Sequence, residues 1–217
     1  MNGTFSKDIL NTVNHTSINR SDIEGFIGQG INHLVFKYKK NKVIKIPKNK
    51  GALTYSNSAL LKDDLRLINS YFPGLAPNTK ILSDQQNASY VIIQDLCTDG
   101  TEISGEMVNH VRPQLEVIIK QNKKLFKRTG RSLDLFGSTG FTRTLLSIFF
   151  PKIKPHLSNI LMKKVGSSYR LLLVDAELLR LKVGTQKMTS VPLWFQSWVS
   201  FVLTSFLLKT SFKFTYA

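Results

Sequence analysis

Cysteine is nearly missing from this sequence: Cys97 is the single one in 217 residues. A lone thiol excludes an intramolecular disulfide framework and is most simply a buried group in a reducing compartment. The opening stretch, MNGTFSKDILNTVNHTSINR, has no apolar core of the kind a secretory signal carries, so a cytoplasmic protein is expected. Internal repeats and long low-complexity tracts are also lacking. The length then fits one large domain or two small lobes sharing a cleft. Hydrophobic residues make up 42% of the chain, enough for a packed core, and wholesale disorder is excluded.

Acidic residues are scarce. Fourteen Asp and Glu stand against thirty Lys and Arg, a formal charge of +16. Such an excess attracts polyanions, whether nucleotides, nucleic acid or an anionic membrane. It also arises from solvated basic faces that recognise nothing. The two densest clusters, KYKKNKVIKIPKNK and KQNKKLFKR, lack interleaved aromatics, zinc-ligand spacing and a recognition-helix pattern, so nucleic acid has no support beyond net charge.

From Ile23 to Ile46 the apolar residues favour strands, with KKNK as a hairpin turn and Pro47 ending the run. SALLKDDLRLINSYF carries the apolar stripe of an amphipathic helix, stopped by Pro73 and Gly74. TKILSD and SYVIIQDLC predict two strands joined through residues 84–87. EMVNHVRPQLEVIIKQNKKLFKR predicts a long helix, with Pro113 near its start and Gly130 as its cap. SLDLFG, NILMKK and YRLLLVDAELL have strand character, the last two paired through a turn at Gly166-Ser167-Ser168. The pattern predicts an α+β protein of two lobes with a hinge near Leu96 to Gly100.

The residues that could carry chemistry begin at DIEGFIGQGINHLVFKYKKNKVIKIPK. Gly28, Gly30 and Val35 fall in the register of G-x-G-x-x-G-x-V, with His33 at the third glycine, and Lys45 follows one hairpin later in KVIKI. Glycines there would let backbone N–H groups approach phosphates; alone they would equally mark a β-bulge. An inward lysine on a strand needs an anionic partner. The following helix offers Asp63 and Asp64 and no Glu, and Asp64 suits the apolar face. Far downstream, KPHLSNILM and LLLVDAELL place Asn159 and Asp175 sixteen residues apart on a predicted hairpin. The order of these parts resembles the protein-kinase-like superfamily over roughly Ile23 to Leu181, in a minimal or truncated form.

That resemblance implies a bilobal fold: a polar leader over 1–22, a β-rich N-lobe with one helix over 23–98, a reduced C-lobe with a metal-binding hairpin over 99–190, and an apolar C-terminal helix over 191–217. It implies ATP and Mg²⁺ as cofactors. Lys45 would reach the α- and β-phosphates, Asp64 would orient Lys45, and backbone groups at Gln94, Asp95 and Leu96 would meet adenine. Asn159 and Asp175 would hold the metal, hard oxygen ligands suiting Mg²⁺. The family's catalytic aspartate lies five residues before the asparagine, where this chain has Lys154. Asp134, in RSLDLFG, is the candidate base in its place, with STGFTRTLLSIFFPKI as an insertion; Asp134 could equally brace a turn. The expected function is transfer of the γ-phosphate of ATP to an unidentified hydroxyl acceptor, on a protein or a small molecule. The alternatives are a pseudokinase or a non-catalytic basic binding module.

The tail is the one long apolar run. VPLWFQSWVSFVLTSFLL, residues 191–208, contains no charge and sits at the lower length limit for a bilayer span. Gln196, Ser197, Ser200, Thr204 and Ser205 recur at helical spacing, which favours a helix packed on the C-lobe. Membrane association through this helix is the alternative, helped by two tryptophans and basic flanks.

Overall fold

A computed structural model describes residues 18–30, 33–48, 55–84, 89–175, 178–179 and 193–214. The expected leader over 1–22 lies mostly outside the described residues, as do the loop at 85–88 and the Ala-Glu pair after Asp175. The chain is α+β and divides into two compact units. One comprises residues 1–65 and 77–98, the other residues 66–76 and 99–217.

The first unit is built on a five-stranded antiparallel sheet. Its strands are β1 (Ile23–Gln29), β2 (His33–Tyr38), β3 (Lys42–Pro47), β4 (Thr79–Asp84) and β5 (Ser89–Asp95), in the order β1-β2-β3-β5-β4. Alternation sorts its side chains by face. Leu34, Phe36, Tyr38, Ile44, Ile46 and Val91 form an apolar core on one face. The other face presents Tyr90, Ile92 and Ile81, and Leu61 of helix α1 (Tyr55–Tyr71) packs against them. The buried positions of α1 among the described side chains are Ser58, Leu61, Asp64 and Ile68, one stripe at spacings of three and four, whereas Leu60 is turned outward. Each fully buried aliphatic in such a stripe contributes about 1.5–3 kcal/mol. Cys97 lies just past β5 and is only partly buried, because the chain has by then left the sheet.

In the second unit, helix α2 (Val108–Thr129) buries Val108, Val111, Leu115, Ile118, Ile119, Asn122 and Leu125 along one side. Its basic cluster, Lys120, Lys123, Lys124, Lys127 and Arg128, is a solvated face. Gly130 ends the helix at φ 69°, its N–H donating to the Phe126 carbonyl, the left-handed cap that glycine adopts without steric cost. Strand β8 (His156–Val165) pairs with β6 (Thr101–Ser104) on one side and β9 (Ser168–Leu173) on the other. Two short strands, β7 (Ser132–Leu133) and β10 (Leu178–Leu179), pair with each other.

One helix was not foreseen. The stretch expected to be an insertion between Asp134 and Asn159 folds as α3 (Gly137–Phe149). Its fully buried positions are small or polar: Gly140 is pressed onto β8, and Thr144 accepts from the His156 N–H and donates to the His156 carbonyl. Phe141 packs edge-on against Phe136, but Leu145, Leu146, Ile148 and Phe149 face out. The C-terminal helix α4 (Leu193–Phe212) touches α2 near both ends of the latter. Phe201 stacks on Phe126 at 4.1 Å, while Arg112 donates to the Phe212 carbonyl and lies over the Phe214 ring. Ser200 and Thr204, the centre of the polar stripe, are buried, so the stripe is turned inward. Among the described residues no helix is long and apolar enough to cross a membrane.

Candidate functional site

The expected site residues fall in both units, and each group is described within its own unit. In the first, antiparallel register aligns Gly28 with Val35, Val35 with Lys45, and Lys45 with Ile92. Directly opposed residues share a face, so Val35, Lys45 and Ile92 stand side by side on the face that α1 covers. Lys45 is 6% exposed and Asp64, on the buried stripe of α1, is 0% exposed. Both residues are engaged in interactions, and burial of a charge requires such partners. Asp63 is only half-buried, so Asp64 is the aspartate that enters the layer between helix and sheet.

His33, at the third glycine position, turns its ring into the same layer, where Nε2 lies 3.1 Å from the Tyr90 hydroxyl. It acts there as a buried polar support. Gly28 and Gly30 have neither a left-handed φ nor any atom within 4 Å of where a Cβ would stand. The fold of this unit does not demand glycine at either position. Register shifts interrupt β1 between Ile23 and Gly28, so the strand is irregular on its approach to the loop.

At the expected hinge, the Asp95 N–H donates to the Asn78 carbonyl and the Leu96 N–H to the Asn41 carbonyl. Gln94 is buried, its side-chain amide donating to the Thr79 hydroxyl. These two N–H groups are committed within the chain.

In the second unit, three residues distant in sequence converge. The Asn159 side-chain amide donates to the Asp134 carbonyl at 3.0 Å. The Val174 N–H donates to the Asn159 carbonyl at 2.8 Å, which sets Asp175 at the end of the β8–β9 ladder next to Asn159. Asp134 Oδ1 accepts from the N–H groups of Phe136 and Gly137, at 3.2 and 2.8 Å, bracing the turn into α3. Gly137 has φ 61°, and a Cβ there would stand 2.7 Å from Asn159 Oδ1 and 2.9 Å from Ser158 Oγ. Here glycine is required twice over, by conformation and by space.

Lys154, in the place of the family's catalytic aspartate, is exposed and pairs with Glu106 at 3.5 Å. It lies in no enclosed site. Helix α3 fills the chain between Asp134 and β8.

A Mg²⁺ ion asks for hard oxygens and accepts a few protein ligands supplemented by water and phosphate. Asp175 Oδ1 is buried with no hydrogen-bond partner, an oxygen whose desolvation only a cation or donor would offset. Because Asn159 uses its amide nitrogen on Asp134, its Oδ1 is the group left to act as a ligand. The pair fits a phosphate-borne Mg²⁺. No group of three or more His, Cys, Asp or Glu side chains able to hold a metal by themselves occurs among the described residues.

Some features had no signal in the sequence. Ser158 donates to the Phe136 carbonyl and accepts from the Gly140 N–H, locking α3 onto β8. Its position just before Asn159 was the available hint. The His156–Glu102 pair, at 2.5 Å across β8 and β6, joins residues 54 positions apart, which no local pattern encodes. Comparison with family models, curated proteins and solved structures finds no match to this chain.

Proposed function

We propose that the chain is a kinase-like protein that binds ATP with Mg²⁺ and transfers the γ-phosphate to a hydroxyl acceptor. The observation that carries this reading is the convergence of Asp134, Asn159 and Asp175, with one carboxylate oxygen of Asp175 buried and unpartnered. In the first unit, the buried Lys45 and Asp64, and two glycines the fold itself does not need, support a phosphate-binding role. Lys45 contributes a fixed positive charge for the phosphates, and Asp64 orients it. Gly28 and Gly30 carry no side chain to hold a phosphate off the backbone, although the Gly30 N–H itself already donates to the His33 carbonyl. Asn159 and Asp175 would hold Mg²⁺, which supplies charge neutralisation at the phosphates when bound.

Asp134 is the candidate for orienting the acceptor hydroxyl. Its backbone is tied to Asn159 and its carboxylate is held by two N–H groups, so its position is fixed relative to the metal-binding pair. Catalysis on this reading rests on positioning and electrostatics. Asp134→Asn should lower ATP turnover by about 10²–10⁴-fold, the usual contribution of a positioned acid–base group, while nucleotide still binds. Unchanged turnover removes Asp134 from the reaction. The same braced carboxylate favours a second reading, nucleotide binding without transfer, in which Asp134 only shapes the turn. Undetectable turnover in a wild-type protein that binds Mg-ATP would select it.

A further inference from the structure

Helix α4 has its outward stripe built the wrong way round for a helix facing water. The exposed positions are Phe195, Trp198, Val202, Leu203 and Phe206, followed by Lys209. They recur at spacings of one, three and four, a single face more than three turns long. Trp198 is 48% and Phe206 51% exposed, while the polar Ser200 and Thr204 are buried on the opposite side. Helix α3 repeats the inversion, with Leu145, Leu146, Ile148 and Phe149 exposed over an inward Gly140 and Thr144. The two helices meet where Ser211 Oγ approaches the Thr144 carbonyl at 3.5 Å. Exposed cations stand around them: Lys209 and Lys213 at the end of α4, Arg143 on α3 and Lys152 just beyond it.

We propose that this face docks the protein on an anionic membrane surface, with α4 lying in the plane of the headgroups. A span is not available to it, since no described helix is long and apolar enough to cross. An in-plane helix needs an apolar face, interfacial aromatics and basic residues reaching the headgroups. The stripe has all three. Charge selects the occupant: a second copy of a chain carrying +16 is repelled, whereas an anionic lipid surface is attracted. This inference stands independently of the phosphotransfer reading.

The test is co-sedimentation of the full chain with vesicles of phosphatidylcholine alone and of phosphatidylcholine mixed with phosphatidylserine. The wild type should partition onto the mixed vesicles and weakly onto the neutral ones. W198S/F206S should lower the partition coefficient about tenfold or more, and K209E about fivefold or more. K209E should keep the wild-type melting temperature, and W198S/F206S should lower it only slightly, because its two side chains are about half exposed. In a Trp194→Phe background, acyl-chain brominated phosphatidylserine should quench Trp198 fluorescence. Absence of partition onto mixed vesicles overturns the proposal, and a stable dimer that ignores vesicles assigns the face to a second copy instead. Binding that is equal on both vesicle types, or untouched by W198S/F206S, overturns it as well.

Discussion

Gly137→Ala probes the corner where Asp134, Asn159 and Asp175 meet. The left-handed φ of 61° costs a side-chain-bearing residue about 1–2 kcal/mol. The added Cβ would also stand 2.7 Å from Asn159 Oδ1 and 2.9 Å from Ser158 Oγ, well inside contact distance. Neither neighbour can swing away freely: Asn159 donates to the Asp134 carbonyl and Ser158 to the Phe136 carbonyl. Displacing Asn159 forfeits its hydrogen bond, about 0.5–1.5 kcal/mol net, for a total of about 1.5–3.5 kcal/mol. At about 2–4 °C per kcal/mol for a chain of this size, the melting temperature should fall by about 3–14 °C. Gly166→Ala is the control, since Gly166 has φ 62° but nothing within 4 Å of its Cβ position. It should show only the backbone part of the loss and leave Mg-ATP binding intact, whereas Gly137→Ala should weaken that binding by moving Asn159. Differential scanning fluorimetry with and without Mg-ATP reads both effects. Equal destabilisation by the two variants, with equal ligand response, would refute the packing argument.

Other substitutions test separate parts of the account. Asn122→Ala removes the Oδ1 that accepts from the buried Leu133 N–H at 2.7 Å, and should cost about 1–3 kcal/mol by chemical denaturation. Leu115→Ala opens a cavity in the core of the second unit and should cost about 2–5 kcal/mol in the same assay. Asp175→Ala should leave the ligand-free melting temperature unchanged or higher, because it deletes a buried oxygen without a partner, yet abolish the Mg-ATP response. A marked drop in ligand-free stability would show that Asp175 serves the fold.

The strands of the first unit were readable because alternation and turn residues are local signals. β2 to β5 follow the apolar runs, and the hairpin turns at Lys39–Asn41 as KKNK foretold. Helix α2 was readable from its stripe and its Gly130 cap. Helix α3 was not, because its contact side is Gly140 and Thr144 with Phe141 alone among the apolar residues, while Leu145, Leu146, Ile148 and Phe149 face away, nearly the reverse of the pattern an amphipathic helix writes. The same inversion hid the orientation of α4. At the site, Lys45 and Asp64 were legible as an inward charge and its neighbour on the apolar face of a helix. The contact of Asn159 with Asp134 was not, since it spans 25 positions and depends on α3 folding between them.

Titration calorimetry of ATP into the protein, with and without Mg²⁺, tests the central claim most directly. The account predicts saturable binding that requires Mg²⁺, weakened about tenfold or more by Asp175→Ala and by Lys45→Met, a loss of at least about 1.4 kcal/mol each. No binding at millimolar nucleotide, or binding that both variants leave unchanged, would contradict it.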